Sequence, residues 1–163
     1  ERPDIRVVSP VAVLESVLDL RRYDLKVARV EIETQYADDL PEISTDLPKL
    51  EQALIYLFSN AIEAVEEDTD RRLKVSASAT GDGVEYCVWN SGAGIDEDIR
   101  EHIFEPFFTT KGGDHLGLGL WVARKNLREY GGDVHYDPER GFCLALPREA
   151  DTMAMHGAVA KEH

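Results

Sequence analysis

Positive charge is scarce in this sequence: 18 Lys and Arg stand against 32 Asp and Glu, a formal net charge of −14. Nucleic acids and anionic membranes need a basic face to neutralise phosphate, so neither is an expected partner. Any anionic ligand must instead find a local cationic patch. Cysteine is nearly absent too, with two residues. Cys87 and Cys143 fall in expected strands without C-x-x-C spacing. They read as reduced core thiols, with a disulfide or a metal role as the alternative. No apolar run reaches about eighteen residues, and the charged start Glu1-Arg2 carries no signal peptide, so nothing marks insertion or export. The expected location is the cytoplasm, and the cytoplasmic part of a membrane-bound receptor would look the same.

What is present suffices for one domain. A chain of 163 residues with 43% hydrophobic content can bury a substantial core. After an extended entry over 1–8, Ser9-Pro10 offers an N-cap and a proline at the first helical position. Val13, Leu14, Val17, Leu18 and Leu20 supply one face of a helix ending near Leu25, before an alternating strand around Val30, Ile32 and Thr34. A turn at 38–41 leads to a second helix capped by Thr45 or Asp46. Leu50, Leu54, Leu57, Phe58, Ala61, Ile62 and Val65 recur in it at helical spacing. Asn60 lies beside that stripe, aligned with Tyr56 and Ala64 at four-residue intervals. An unsatisfied buried amide costs about 1–3 kcal/mol, so Asn60 needs a partner, either a ligand or a neighbouring loop.

The second half reads as a hairpin of Leu73 to Ala79 and Val84 to Asn90 around Gly81-Asp82-Gly83. A third helix from about Leu118 to Leu127 is stopped by Gly131-Gly132, and strands Val134 to Tyr136 and Phe142 to Leu146 follow. Residues 1–147 are expected to form the domain, with 148–163 a flexible tail. This order implies a two-layer α/β sandwich, helices on one face of a mixed, mainly antiparallel sheet. Between hairpin and third helix, Val88 to Leu120 carries two glycine clusters around an aromatic box. Gly92 and Gly94 let backbone approach a flat or anionic ligand, and Gly117 and Gly119 open a helix whose free N–H groups can face phosphate.

Four boxes stand in order: LEQALIYLFSNAIEAV (50–65), NSGAGI (90–95), IFEPFFTTK (103–111) and LGLGL (116–120). Together they resemble the N, G1, F and G2 boxes of the catalytic and ATP-binding domain of sensor histidine kinases, in the gyrase and histidine-kinase (GHKL) ATPase superfamily. The resemblance implies a Bergerat-type ATP-binding fold with ATP and Mg²⁺ as cofactors. It makes Asn60 the Mg²⁺ ligand, suited to an ion that prefers oxygen donors, and puts Ala64 beside it. Asn90 takes the place of the residue that accepts from the adenine amino group, with Gly92, Gly94 and Ile95 forming the base pocket. Phe104, Phe107 and Phe108 correspond to aromatics that anchor a mobile lid. Thr109, Thr110 and Lys111 form its edge, Lys111 being the candidate cation. Gly117, Leu118, Gly119 and Leu120 correspond to the phosphate-facing segment.

Three positions depart from the family pattern. Asn90 replaces an aspartate, exchanging a charged hydrogen bond of about 1.5–3 kcal/mol for a neutral one of about 0.5–1.5. Tyr56 stands where the kinases have asparagine and the hydrolytic relatives a water-activating glutamate; its phenol is a poor base at neutral pH, which disfavours direct ATP hydrolysis. His115 occupies a common glycine position. The implied function is transfer of the γ-phosphoryl group of Mg·ATP to a histidine on a separate dimerisation and phosphoacceptor domain, upstream of a response regulator. None of His102, His115, His135, His156 and His163 sits in an acceptor-like helix, so the chain is expected to act on an acceptor elsewhere and not to phosphorylate itself. Alternatives are an anti-sigma-factor-type serine kinase and a degenerate interaction module without kinase activity.

Overall fold

The computed structural model describes residues 2–108 and 119–150. The elements in chain order are β1 (Ile5–Val8), α1 (Pro10–Val27), β2 (Glu31–Tyr36), β3 (Ile43–Asp46), α2 (Leu47–Val65), β4 (Arg72–Ala79), β5 (Gly83–Asn90), a short 3-10 turn (Arg100–His102), α3 (Gly119–Arg128), β6 (Asp133–Asp137) and β7 (Gly141–Pro147). Five strands form one sheet in the order β2-β4-β5-β7-β6, parallel between β2 and β4 and antiparallel elsewhere. The helices cover one face, giving the expected two-layer α/β sandwich.

Local chemistry accounts for the helices. Ser9 Oγ accepts from the Ala12 amide (3.3 Å) and Pro10 follows it, which starts α1. Val13, Leu14, Val17 and Leu18 are buried as expected, whereas Leu20 is exposed because it points away from the turn that faces α2. The whole apolar stripe of α2 is buried. Each fully buried Leu, Val, Ile or Phe there contributes about 1.5–3 kcal/mol, an upper bound on this side of the core. On the sheet, Val84, Tyr86 and Val88 turn toward the helices, and the Tyr86 hydroxyl donates to Pro10 O (2.9 Å). Burial pushes that phenol well above its ordinary pKa.

Three features differ from the sequence expectation. Ile43–Asp46, expected as the approach to a cap, is a strand pairing antiparallel with β1 in a separate two-stranded sheet. Its four residues are too few for alternation to show, and its partner lies far away in sequence. Order also runs past Pro147: Ser44 N donates to Arg148 O (2.8 Å), Ala150 N donates to Ser44 O (2.8 Å), and Ala150 is buried. The third difference concerns the cysteines, which are disulfide-bonded rather than free. Cys87 and Cys143 stand directly opposite each other on β5 and β7 with Cα atoms 4.1 Å apart. Only strand register sets this proximity, so no local spacing announces it.

Asp46 ties these parts together. Its Oδ1 accepts from the Lys49 amide (3.2 Å) as the N-cap of α2, while Oδ2 accepts from the Asp4 amide (3.3 Å) and the Tyr130 hydroxyl (2.9 Å). One buried carboxylate thus joins the N-terminal strand, the start of α2 and the end of α3. Asp46→Ala should lower stability by about 2–4 kcal/mol, combining a lost cap with an orphaned phenol, and Tyr130→Phe by about 1 kcal/mol. Urea unfolding measures both, and losses below about 0.5 kcal/mol in each would remove Asp46 from this role.

Candidate functional site

The side of α2 away from its buried stripe carries Tyr56, Asn60 and Ala64, spaced one turn apart. Tyr56 meets α3 at its first residue: a Cβ added to Gly119 would lie 1.6 Å from Tyr56 Cε2. Only glycine permits that helix approach. The Tyr56 hydroxyl is also hydrogen-bonded to the Leu120 backbone, and burial, then the charge of Glu63, hold its pKa above the ordinary value. Tyr56 is therefore further from service as a base than its residue type alone implies. Gly119 was expected to bring backbone N–H groups to phosphate; the structure gives it a packing role under Tyr56. Asn60 is half-buried one turn beyond this contact, and Ala64 is exposed one turn further on.

The loop after β5 sits at the C-terminal end of α2. Asn90, half-buried, ends the strand and donates from Nδ2 to Ser91 O (2.9 Å). A carbonyl oxygen can only accept, so this bond fixes the amide orientation and turns Oδ1 away as the remaining acceptor. Ser91, which the sequence reading passed over, is the rivet of the loop. Its buried hydroxyl accepts from the Arg72 amide (3.0 Å) and donates to Asp70 O (2.9 Å), continuing the strand pairing with a side chain. The available signal was a short hydroxyl residue set between a strand end and a glycine. Gly92 then adopts φ +111° and packs beside Asp68, just beyond α2.

Gly94, at φ +76°, passes the Tyr136 hydroxyl, which would lie 3.1 Å from an added Cβ. That hydroxyl accepts from the Ile95 amide (3.2 Å), and Arg100 Nε donates to Ile95 O (3.0 Å) with its guanidinium 5.6 Å from the Tyr136 ring centroid. Ile95 packs against the core as an apolar wall. Tyr136 and Arg100 are thus positioning residues for the loop; sequence reasoning missed Tyr136 because it reaches Ile95 from β6, 41 residues on, and Arg100 because its stacking on Tyr136 crosses the same gap.

The aromatic box divides. Phe104 meets Phe142 edge-on (6.4 Å between centroids), lies under Arg124 (4.6 Å) and packs on the core, as does Phe108. Phe107 does neither: it is 71% exposed, with φ +68°, and the segment it was expected to anchor lies outside the described residues. Thr109, Thr110, Lys111, His115, Gly117 and Leu118 lie outside the described residues. A groove of about 420 Å³ on α3 is lined by Phe104, Trp121, Arg124, Lys125, Arg128 and Glu129, none of them among the expected ligand contacts. Arg124 and Arg128 there are both paired with Asp133 (2.9 and 3.1 Å). Burial works to raise the Asp133 pKa, but these two bonds and the Val134 amide hold it below the usual carboxylate value. His102 lies in the short 3-10 turn beside Glu101 and Glu105, and His135 on β6, neither in an α-helix.

Helices layered on a mixed sheet, with a G-x-G loop at the end of α2 and a glycine at the start of α3, define an ATPase-type nucleotide-binding domain. The chain belongs to the Histidine kinase-, DNA gyrase B-, and HSP90-like ATPase family, matching its pattern over residues 45–150. It is 33% identical over 147 residues to the sensor histidine kinase ZraS of Escherichia coli (strain K12), covering 88% of this chain and 31% of that protein. It superposes on the catalytic domain of histidine kinase ThkA with a TM-score of 0.79 at 30% identity, over 90% of this chain and 99% of that one. It also superposes on ThkA in complex with the response regulator protein TrrA, with a TM-score of 0.72 at 29% identity, over 88% and 42% of the two chains. The chain spans less than half the length of the curated relatives it matches.

The Tyr56–Gly119 contact is testable apart from any ligand. Gly119→Ala should destabilise the domain by about 1–3 kcal/mol through overpacking. Tyr56→Ala in the same chain should recover part of that loss, giving a coupling of at least about 0.5 kcal/mol in a double-mutant cycle. Strict additivity would show that the two residues do not meet.

Proposed function

We propose that this domain binds Mg·ATP and donates the γ-phosphoryl group to a histidine on a separate helical phosphoacceptor domain, in a two-component pathway leading to a response regulator. The observation that carries the proposal is the family match over residues 45–150, supported by α2 meeting the start of α3 through Tyr56 and Gly119, and by Asp68, just past α2, lying beside Gly92 of the loop after β5. In this reading Asn90 Oδ1 accepts from the base amino group, which favours adenine over guanine because Nδ2 is already committed to Ser91. Gly92, Gly94 and Ile95 form the base pocket, Leu120 and Gly119 border the phosphates, and Thr109, Thr110, Lys111, Gly117 and Leu118 complete the lid side.

The residues present fit the metal. Asn60 offers one amide oxygen from a rigid helix, and Mg²⁺ takes few protein ligands, keeping waters and substrate phosphate oxygens for the rest. When bound, the ion neutralises phosphate charge, which the strongly acidic chain cannot do alone. Such transfer is mostly positioning and charge neutralisation, so the domain needs no base of its own, and the raised Tyr56 hydroxyl fits that requirement. The site belongs in the cytoplasm, where ATP is available.

The decisive experiment supplies a histidine-bearing helical domain in trans with γ-labelled ATP. Acid-labile label on that domain supports the reading, whereas acid-stable label would indicate serine transfer and label retained on the isolated chain would overturn it. By calorimetry, Asn60→Ala should abolish the Mg²⁺ dependence of ATP binding. Asn90→Ala should weaken ATP about three- to tenfold, the range for one neutral hydrogen bond. Asn90→Asp should tighten it, by up to about tenfold, through the added charge.

A further inference from the structure

The helix-free face of the sheet carries a second cluster of reactive side chains. Val84, Tyr86 and Val88 face the helices, so alternation sends Glu85 and Cys87 to the opposite face. Register then lines up Cys87 with Cys143 on β7 and Cys143 with His135 on β6, one row across three strands. A carboxylate oxygen of Glu85, a ring nitrogen of His135 and Sγ of Cys143 all lie within 4.8 Å of one another. Cys87 Sγ is 3.7 Å from Glu85 Oε1, and His135 Nε2 is 3.8 Å from Glu85 Oε2. Two sulfurs, one imidazole and one carboxylate are a tetrahedral donor set for a thiophilic divalent ion of the zinc type.

We propose that Cys87 and Cys143, once reduced, join His135 and Glu85 in a site for a zinc-type divalent cation, so that the redox state of the pair selects between a disulfide staple and a bound metal. Donor atoms around tetrahedral zinc lie about 3.3–3.8 Å apart; Glu85, His135 and Cys143 are already within 4.8 Å of one another, and Cys87 joins them once its bond to Cys143 is broken and its sulfur is free to turn. Charge also balances. Two thiolates and the Glu85 carboxylate sum to −3, the ion supplies +2, and Arg140, whose Nη1 contacts Glu85 Oε1, supplies +1. The redox step is a thiol–disulfide exchange: a dithiol reductant gives two electrons and two protons to the Cys87–Cys143 bond and becomes a disulfide itself. The cation then displaces the two thiol protons to solvent as the metal–sulfur bonds form. A reducing cytoplasm would favour the metal-competent form. The site holds β5, β7 and the edge strand β6 together, where the disulfide links only β5 and β7, and it does not depend on the proposed kinase function.

Titrating the reduced chain, freed of small thiols under anaerobic conditions, with Co²⁺ tests this. One ion per chain should bind with thiolate-to-metal charge-transfer absorption, and Zn²⁺ should displace it. The disulfide form should show no such band. His135→Ala, at a half-exposed position that threatens folding little, should lower Zn²⁺ affinity at least about tenfold, the minimum seen when a metal's supporting shell is disturbed. Glu85→Gln should act in the same direction, Cys143→Ser should remove the band, and His102→Ala should change nothing. Absence of the charge-transfer band in the reduced chain, or Zn²⁺ affinity unchanged in both His135→Ala and Glu85→Gln, would overturn the proposal.

Discussion

The structure depends on one helix meeting two demands at once. α2 is the centre of the helical layer, packed against α1, α3 and the middle strands β4 and β5, so its stripe from Leu50 to Val65 must be apolar and continuous. Its other side must stay open enough to carry Asn60. A helix can do both because successive turns repeat a face every three to four residues, leaving the residues between them on a separate side. The arrangement holds only if neighbours come close without filling the open side. Gly119 answers this by admitting Tyr56 at the start of α3, and Asp46 answers it by anchoring the first turn of α2 to both β1 and the end of α3.

The loop beyond β5 depends on the same economy of contacts. It has no regular backbone partners of its own, yet each potentially mobile point is held: Ser91 by β4, Ile95 by Tyr136 and Arg100. Its two glycines occupy left-handed conformations that a side chain would strain. The result is a loop held at defined points at one end of α2, with the Asn90 amide oriented by its bond to Ser91 O. Phe107, exposed in a left-handed conformation, is the one ring of the three box aromatics not packed on the core.

The two faces of the sheet are chemically separate. The inner face is apolar and serves the helices. The outer face carries Trp89 under Arg72 and Lys74 (5.5 and 5.1 Å), the Cys87–Cys143 pair, and the Glu85, His135 and Arg140 group. Period-two alternation alone decides which residues go where, so the apolar core and the Cys87–Cys143 group occupy opposite faces of one set of strands.

Much of this was legible along the chain. The stripe of α2, the hairpin of β4 and β5, the Ser9-Pro10 start of α1 and the two-layer class all follow from periodicity and capping, because those signals are local and repeat within a few residues. The four boxes were legible for the same reason: each is a short run whose order survives without coordinates. What tertiary structure alone decided depends on partners far apart in sequence. β3 exists because β1 lies beside it. Cys87 and Cys143 are bonded because β5 and β7 share a register, and His135 and Glu85 meet them through the same pairing. Tyr136, Arg100 and Tyr56 acquire positioning roles only where the chain returns to them, and Phe107 is separated from Phe104 and Phe108 by a backbone conformation that residue type does not encode.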